Sequence, residues 1–243
     1  MKTVCVIPAR YASTRFPGKP LAVIKGKPLI QRVWDNARRA AKVSAVIIAT
    51  DDERIRAAAT AFGAEVVMTP TDCATGTERV AAVARKIEAD AYVNAQGDEP
   101  LMPPSVIDAV VKALEADESA ACATAFFETA DEKLAADPDT AKVVLDKNGY
   151  ALYFSRAAIP FVSRHSGARA LYKKHIGIYA YRGDILLGIA ALPVCPAEEA
   201  EKLEQIRLLW NGLKIKCVSV AADTVGVDSP DDIAKVERLL SEE

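Results

Sequence analysis

The feature that most constrains this 243-residue chain is a rhythm in its first half. Short, continuous apolar runs alternate with segments of helical spacing. "TVCVI", "AVIIAT", "AEVVM" and "AYVNA" read as buried strands. Between them lie "PLIQRVWDNARRAAK", "DDERIRAAATAFG" and "GTERVAAVARKIEA", whose apolar residues recur at three- and four-residue intervals. Pro28 suits a first helical turn, and Gly63 stops the second helix. Strands that are apolar throughout need cover on both faces. The pattern therefore predicts an α/β fold with a mostly parallel sheet between helices. In such sheets ligands bind beyond the carboxyl ends of the strands.

The second half changes character. "KVVLDKNGYALYFSR" holds two strand-like runs around Asn148-Gly149, a hairpin signal. "KKHIGIYAYR" and "KIKCVSV" read as further strands. "PAEEAEKLEQIRLLWNG" predicts a helix from about Glu198 to Asn211-Gly212. "SPDDIAKVERLLSEE" predicts a final helix with Ser229 as N-cap and Pro230 at its first position. No Gly/Ser linker, repeat or low-complexity segment divides the halves. The expectation is one domain over residues 1–243 with an inserted antiparallel element.

Two polar, turn-rich segments fall at carboxyl ends of predicted strands. The first is "IPARYASTRFPGKPL", which sets Arg10, Arg15 and Lys19 among Pro8, Pro17, Gly18 and Pro20. Net charge is −2, so these cations are a local feature and no overall basic field points to nucleic acid. Arginine forks bind phosphate bidentately, lysine adds a point charge, and backbone N–H groups of a tight turn cradle anionic oxygens. The loop suits a polyphosphate better than it suits a plain solvated surface. It fits neither the G-x-x-x-x-G-K-[ST] phosphate loop nor G-x-G-x-x-G.

The second segment, "NAQGDEP", places Asp98 at a strand end, and "GVDSP" offers Asp228. Either acid alone could serve a turn or a helix N-terminus. Beside a polyphosphate loop, the two together suit Mg²⁺, which takes one or two carboxylates plus substrate phosphates. No apolar run approaches the roughly 20 residues of a membrane span. The N-terminal apolar stretch is too short for a signal peptide. Cys5, Cys73, Cys122, Cys195 and Cys217 are dispersed and form no C-x-x-C, which fits a reducing, cytoplasmic setting. Cys5, Cys122 and Cys217 sit in apolar runs as small core residues.

The stretches "IPARYASTRFPGKPL", "ATDDERI", "TGTER", "NAQGDEP", "KVVLD", "ALYFSRAAIPF", "KHIGIYAYR", "EKLEQIRLLWNG" and "GVDSPDDI" occur in this order from about residue 3 to about residue 238. The ordered set resembles the 3-deoxy-manno-octulosonate (KDO) cytidylyltransferase, or CMP-KDO synthetase, family. The resemblance implies a Rossmann-like nucleotidyltransferase fold, Mg²⁺, a homodimer, and the reaction of CTP with KDO to give CMP-KDO and pyrophosphate for lipopolysaccharide or capsule assembly. It implies a mainly CTP-binding half over residues 1–120 and a mainly sugar-binding and dimerisation half over 121–243.

By position, the resemblance puts Arg10, Ser13, Arg15 and Lys19 at the CTP site, with Thr77, Arg79 and Gln96 close to the nucleotide. Arg10, Arg15, Lys19 and Asp98 would be catalytic, and Asp98 and Asp228 would hold the metal. Gln96, Arg156, His175, Tyr179, Glu204 and Gln205 fall on the sugar pocket. Without the resemblance, His175 reads as a strand histidine held by a local hydrogen bond, Glu204-Gln205 as a solvated helix face, and Tyr153, Phe154 and Tyr179 as core aromatics. A sugar acid would need a cation, and Arg156 and His175 are the available kinds of group. Many members of that family carry a histidine before "SGTER", where this chain reads "DCATGTER". Members handling an 8-amino sugar also lack it, so 8-amino-KDO, with Asp72 as its partner, is an alternative acceptor. Another sugar acid, as in a CMP-sialic acid synthetase, is the second alternative.

Overall fold

The computed structural model describes residues 1–12, 16–163, 171–221 and 223–242. The first half alternates as the pattern predicts. Strand β1 (Thr3–Ala9) leads through a short hairpin, β2 (Val23–Ile24) and β3 (Lys27–Pro28), into helix α1 (Leu29–Ala37). Then follow β4 (Ala45–Thr50), α2 (Glu53–Ala61), β5 (Glu65–Met68), α3 (Gly76–Ala84), β6 (Ala91–Asn94) and α4 (Pro104–Glu115). The second half runs β7 (Cys122–Thr129), α5 (Glu132–Ala136), β8 (Lys142–Leu145), β9 (Ala151–Ser155), β10 (Tyr172–Arg182), α6 (Gly183–Gly188), α7 (Pro196–Glu201), α8 (Ile206–Trp210), β11 (Ile215–Ser219) and α9 (Pro230–Glu242).

Apart from the separate β2–β3 pair, the strands form one mixed sheet whose main path runs β11-β7-β10-β6-β1-β4-β5. β1 pairs in parallel with β4 and β6, β4 with β5, and β7 with β11. β10 runs antiparallel between β6 and β7 and joins the two halves. The β8–β9 hairpin attaches beside it, turning at Gly149 with φ 80°. Successive residues of β1 serve opposite faces. Cys5 and Ile7 enter one core with α1 and α4, while Val4 and Val6 enter the other with α3. In α1 the residues Leu29, Ile30, Val33, Trp34 and Ala37 make the buried stripe that the spacing predicts. Cys5, Cys122 and Cys217 are buried core residues, as expected, and all five cysteines are free. No described helix is long and apolar enough to cross a membrane.

Two elements differ from expectation. The helix expected from Glu198 to Asn211 is broken: α7 ends at Lys202, whose φ of 54° is left-handed, and α8 starts only at Ile206. A non-glycine residue in that region costs about 1 kcal/mol, and the break turns Leu203, Glu204 and Gln205 out of helical register. α1 stops at Ala37 rather than running on to Lys42, because Arg39 and Ala40 close tighter turns onto Asn36 and Ala37. At α9, the Asp232 carboxylate accepts from the Ser229 N–H and hydroxyl, at 2.8 and 2.9 Å, so Asp232 takes part in the cap with Ser229.

Candidate active site

The site lies beyond the carboxyl ends of β1 and β6. The loop after β1 is closed by the Gly18 N–H donating to Tyr11 O at 2.9 Å, with Gly18 at φ 73° against the Tyr11 ring. This closure aims the exposed Arg10 and the half-buried Lys19 at one cavity. Ser13 and Arg15 lie outside the described residues. After β6 the chain turns at Gln96-Gly97-Asp98. A Cβ on Gly97 would sit 2.6 Å from Pro8 O, so only glycine lets this turn pack against the end of β1.

Lys19 is the hub. Its Nζ donates to Asp98 Oδ2 at 2.7 Å and to Val227 O at 2.9 Å, and lies 3.7 Å from Asp228 Oδ1. The Val227 N–H donates to Asp98 O at 2.8 Å, which locks the 227–228 segment to the β6 turn. Part-exposed ion pairs contribute at most about 1 kcal/mol, so the value of this cluster is placement rather than stability. Two carboxylates remote in sequence converge on one ammonium, with a carbonyl oxygen alongside. That all-oxygen donor set fits Mg²⁺ sharing its shell with substrate phosphates. Among the described residues no three His, Cys, Asp or Glu side chains gather as a metal centre. The protein would thus supply only part of the shell.

The wall of this cavity is α3. Thr75 caps it, Oγ1 accepting from the Glu78 N–H at 3.2 Å, while Glu78 accepts from the Ala74 N–H at 2.8 Å. Cys73 also lines the cavity, its thiol pushed up chiefly by burial. Arg79 borders it too, but is 3% exposed and donates to Asp51 at 2.9 Å and to Thr69. Its charge is therefore compensated within the wall. Thr77, expected beside the nucleotide, borders a second cavity.

That second cavity adjoins the first, and Gly76 and Gln96 line both. It gathers Thr77, His175, Tyr179, Glu204 and Gln205. The β10 segment brings His175 and Tyr179, whose rings lie 5.4 Å apart. The α7–α8 break brings Glu204 and Gln205. Burial pushes His175 down to about 3, so it is a neutral imidazole and not the cation that a sugar acid would need. Burial also holds the Tyr179 phenol well above its usual range and raises the Glu204 carboxyl, against hydrogen bonds from Thr77 and Thr75. Among the described residues Asn94 Oδ1 and Gln205 Nε2 are buried without a hydrogen-bond partner, and both residues line this cavity.

Arg156 borders a third, adjoining cavity with Lys174, His175 and Glu99. Its Nε donates to Glu201 O at 2.7 Å and its Nη1 to Pro138 O at 2.9 Å. Lys142, buried in β8, supports this arrangement. Its ammonium donates to the carbonyls of Asp137, Thr140 and Arg156, tying the 137–140 turn to the arginine. Burial raises the Glu99 carboxyl to about 7, with the neighbouring Asp98 charge acting the same way, and among the described residues Oε2 has no hydrogen-bond partner. Lys142, Glu99 and Asn94 escape a sequence reading. Each sits in a stretch that reads as strand or turn, and nothing local marks a polar atom as buried.

A mixed α/β sheet with a phosphate-suited loop beyond β1 and paired carboxylates beside it defines a nucleotidyltransferase. The family model described as "Cytidylyltransferase" matches residues 4–215. A 3-deoxy-manno-octulosonate cytidylyltransferase of Myxococcus xanthus is 49% identical, covering 98% of this chain and 96% of its own. One of Geobacter metallireducens is 46% identical, covering 99% and 98%. The solved structure of a CMP:2-keto-3-deoxy-manno-octonic acid synthetase complexed with CTP superposes with a TM-score of 0.95 at 44% identity, covering 100% of this chain and 99% of that one. The chain belongs to the 3-deoxy-manno-octulosonate cytidylyltransferase family.

Proposed function

We propose that this chain transfers the CMP group of CTP to KDO, giving CMP-KDO and pyrophosphate. The product is an activated sugar acid for lipopolysaccharide or capsule assembly. The observation that carries this reading is the meeting of two cavities at Gln96. One has cations and carboxylates suited to a triphosphate, and the other has hydroxyl, amide and imidazole groups suited to a polyol. The names borne by full-length relatives and the CTP complex of a close structural neighbour support the two substrates.

In this reading Arg10 and Lys19, with Arg15 and Ser13 of the same loop, bind the triphosphate and stabilise charge on it. Asp98 and Asp228 would hold Mg²⁺, which lowers the pKa of a hydroxyl and offsets phosphate charge when bound. The sugar's anomeric oxygen forms a bond to the α-phosphorus, the bond to pyrophosphate breaks, and the hydroxyl proton leaves to solvent. Gln96 stands between the reacting groups. Lys19 keeps the two acids together at the mouth of the cavity. Arg156, at the border of the adjoining cavity, supplies positive charge for the sugar acid, whereas the Lys174 ammonium is paired with Asp223 at 2.6 Å. Small molecules, rather than nucleic acid or a membrane, are the proposed partners, and the cytoplasm the proposed location. The exposed Leu152, Phe161, Leu171 and Trp210 of the second half support a homodimer formed through that half.

Asp98→Asn and Asp228→Asn test the site. Each preserves shape and removes a charge. Turnover is expected to fall by several orders of magnitude, with thermal unfolding nearly unchanged. Near wild-type turnover at saturating Mg²⁺ in either variant would remove that residue from the reaction.

A further inference from the structure

His175 lies where β10 departs from regular pairing. The register with β7 jumps between Ile176, opposite Ala125, and Tyr179, opposite Thr124, so Gly177 and Ile178 form a bulge. A bulge leaves ladder groups unpaired. Here the carbonyls of Ile176 and Ile178 both face Thr124 Oγ1, at 3.3 and 2.7 Å. Thr124 is wholly buried. Its hydroxyl also lies 3.0 Å from His175 Nε2.

A hydroxyl has one proton and two acceptor lone pairs, whereas a carbonyl can only accept. The 2.7 Å separation is that of a full O–H···O bond, so the Thr124 proton goes to Ile178 O. Turning it toward the imidazole would set the hydroxyl lone pairs against two carbonyl oxygens, out of reach of water. An unmade buried hydrogen bond of that kind is costly. The imidazole must therefore be the donor, and Nε2 carries the hydrogen. The ring is neutral, its pKa pushed down to about 3 by burial, so only one nitrogen is protonated. Nδ1 is left as a bare acceptor. Among the described residues it makes no hydrogen bond, and His175 borders both the Gln96 cavity and the Arg156 cavity. The edge-on Phe154 ring, 5.1 Å away at 78°, and Tyr179 on another side restrict the imidazole's rotation.

We propose that Thr124 is a positioning residue that fixes His175 as the Nε2–H tautomer, so that Nδ1 accepts a hydrogen bond from a hydroxyl of the sugar acid. The proposal rests on the reading of the Gln96 cavity as the sugar pocket. A neutral lone pair repels carboxylate oxygens, so the same nitrogen turns the sugar's carboxylate away from this wall of the pocket. His175 thereby reads hydroxyl against carboxylate and orients the acceptor. A pocket that demands a donor discriminates against analogues lacking one.

The test is nitrogen-15 NMR of the imidazole in the full chain. The only other histidine, His165, is replaced by glutamine to leave a single ring. The free protein is expected to show a pyrrole-type Nε2 and a pyridine-type Nδ1. Adding KDO with a CTP analogue that cannot release pyrophosphate is expected to shift Nδ1. Thr124→Val keeps the shape but removes the hydroxyl. It is expected to raise KM for KDO roughly tenfold, the size of one lost hydrogen bond, with a far smaller change in KM for CTP. Thr124→Ser is expected to restore it. A protonated Nδ1 in the free protein would overturn the proposal even if Thr124→Val failed to fold. Unchanged KDO kinetics in a folded Thr124→Val would overturn it too. An Nε2–H ring whose Nδ1 ignores KDO would refute the sugar-pocket reading instead, with the tautomer intact.

Discussion

Gly97→Ala isolates the contact that seats Asp98. The added Cβ would stand 2.6 Å from Pro8 O, some 0.7 Å inside an ordinary C···O approach of about 3.3 Å. No flexible side chain can yield, because both partners are backbone and Pro8 is fixed in β1 opposite Ala49. Overpacking of this kind costs about 1–3 kcal/mol. For a chain of 243 residues, that lowers Tm by roughly 2–6 °C. The displaced turn carries Asp98 and Gln96, so kcat should fall by more than the lost stability explains, at temperatures where the variant is fully folded. Gly188→Ala is the control. Nothing lies within 4 Å of its Cβ position and its φ is −87°, so alanine should be neutral or stabilise the end of α6 by about 0.5–1 kcal/mol. Differential scanning calorimetry and steady-state kinetics on both variants decide the matter. If Gly97→Ala matched wild type in Tm and kcat, the close approach would not be what places the acid.

Lys19→Met removes the ammonium between Asp98 and Asp228 while keeping bulk. Calorimetry should show CTP binding weakened more than tenfold, from loss of a charge-assisted contact. Mg²⁺ binding in the absence of nucleotide should strengthen, since no resident cation competes for the carboxylates; unchanged values for both would remove Lys19 from its place at the hub. His175 makes a pH prediction. Its folded pKa of about 3 lies below the unfolded value of 6.5, so the unfolded chain takes up a proton that the folded chain refuses. Its neutral form adds stability in full above pH 6.5, and that stability is lost as pH falls toward 3. Between pH 7 and pH 5 wild type should lose about 2 kcal/mol relative to His175→Gln, at 1.36 kcal/mol per pH unit below 6.5. Urea unfolding at the two pH values measures it, and an equal loss in both proteins would contradict a buried neutral ring.

The first half was legible because its physics is local. Continuous apolar runs in β1, β4 and β6 mark a sheet covered on both sides, and turn residues after β1 and β6 mark where the first cavity lies. The alternation read from the sequence ends at "AYVNA" and omits α4, although Val106, Ile107, Val110, Val111 and Leu114 make a regular buried stripe. The second half was legible mainly through family resemblance. A bulge in β10, a left-handed Lys202 and a buried Lys142 with its ammonium on three carbonyls are decided by tertiary contacts, and no short window of sequence encodes them. His175 shows the limit most clearly. Its place in the pocket could be expected, but its neutrality follows only from burial, and its tautomer from a threonine fifty-one positions away.

The most direct measurement of the central claim is pyrophosphate release by the purified chain with CTP, ATP, GTP and UTP, against KDO, 8-amino-KDO and sialic acid. The account predicts the highest kcat/KM for CTP with KDO, and CMP-KDO as the product. No release with CTP and KDO at saturating Mg²⁺, or a higher kcat/KM with another nucleotide or sugar acid, would contradict it.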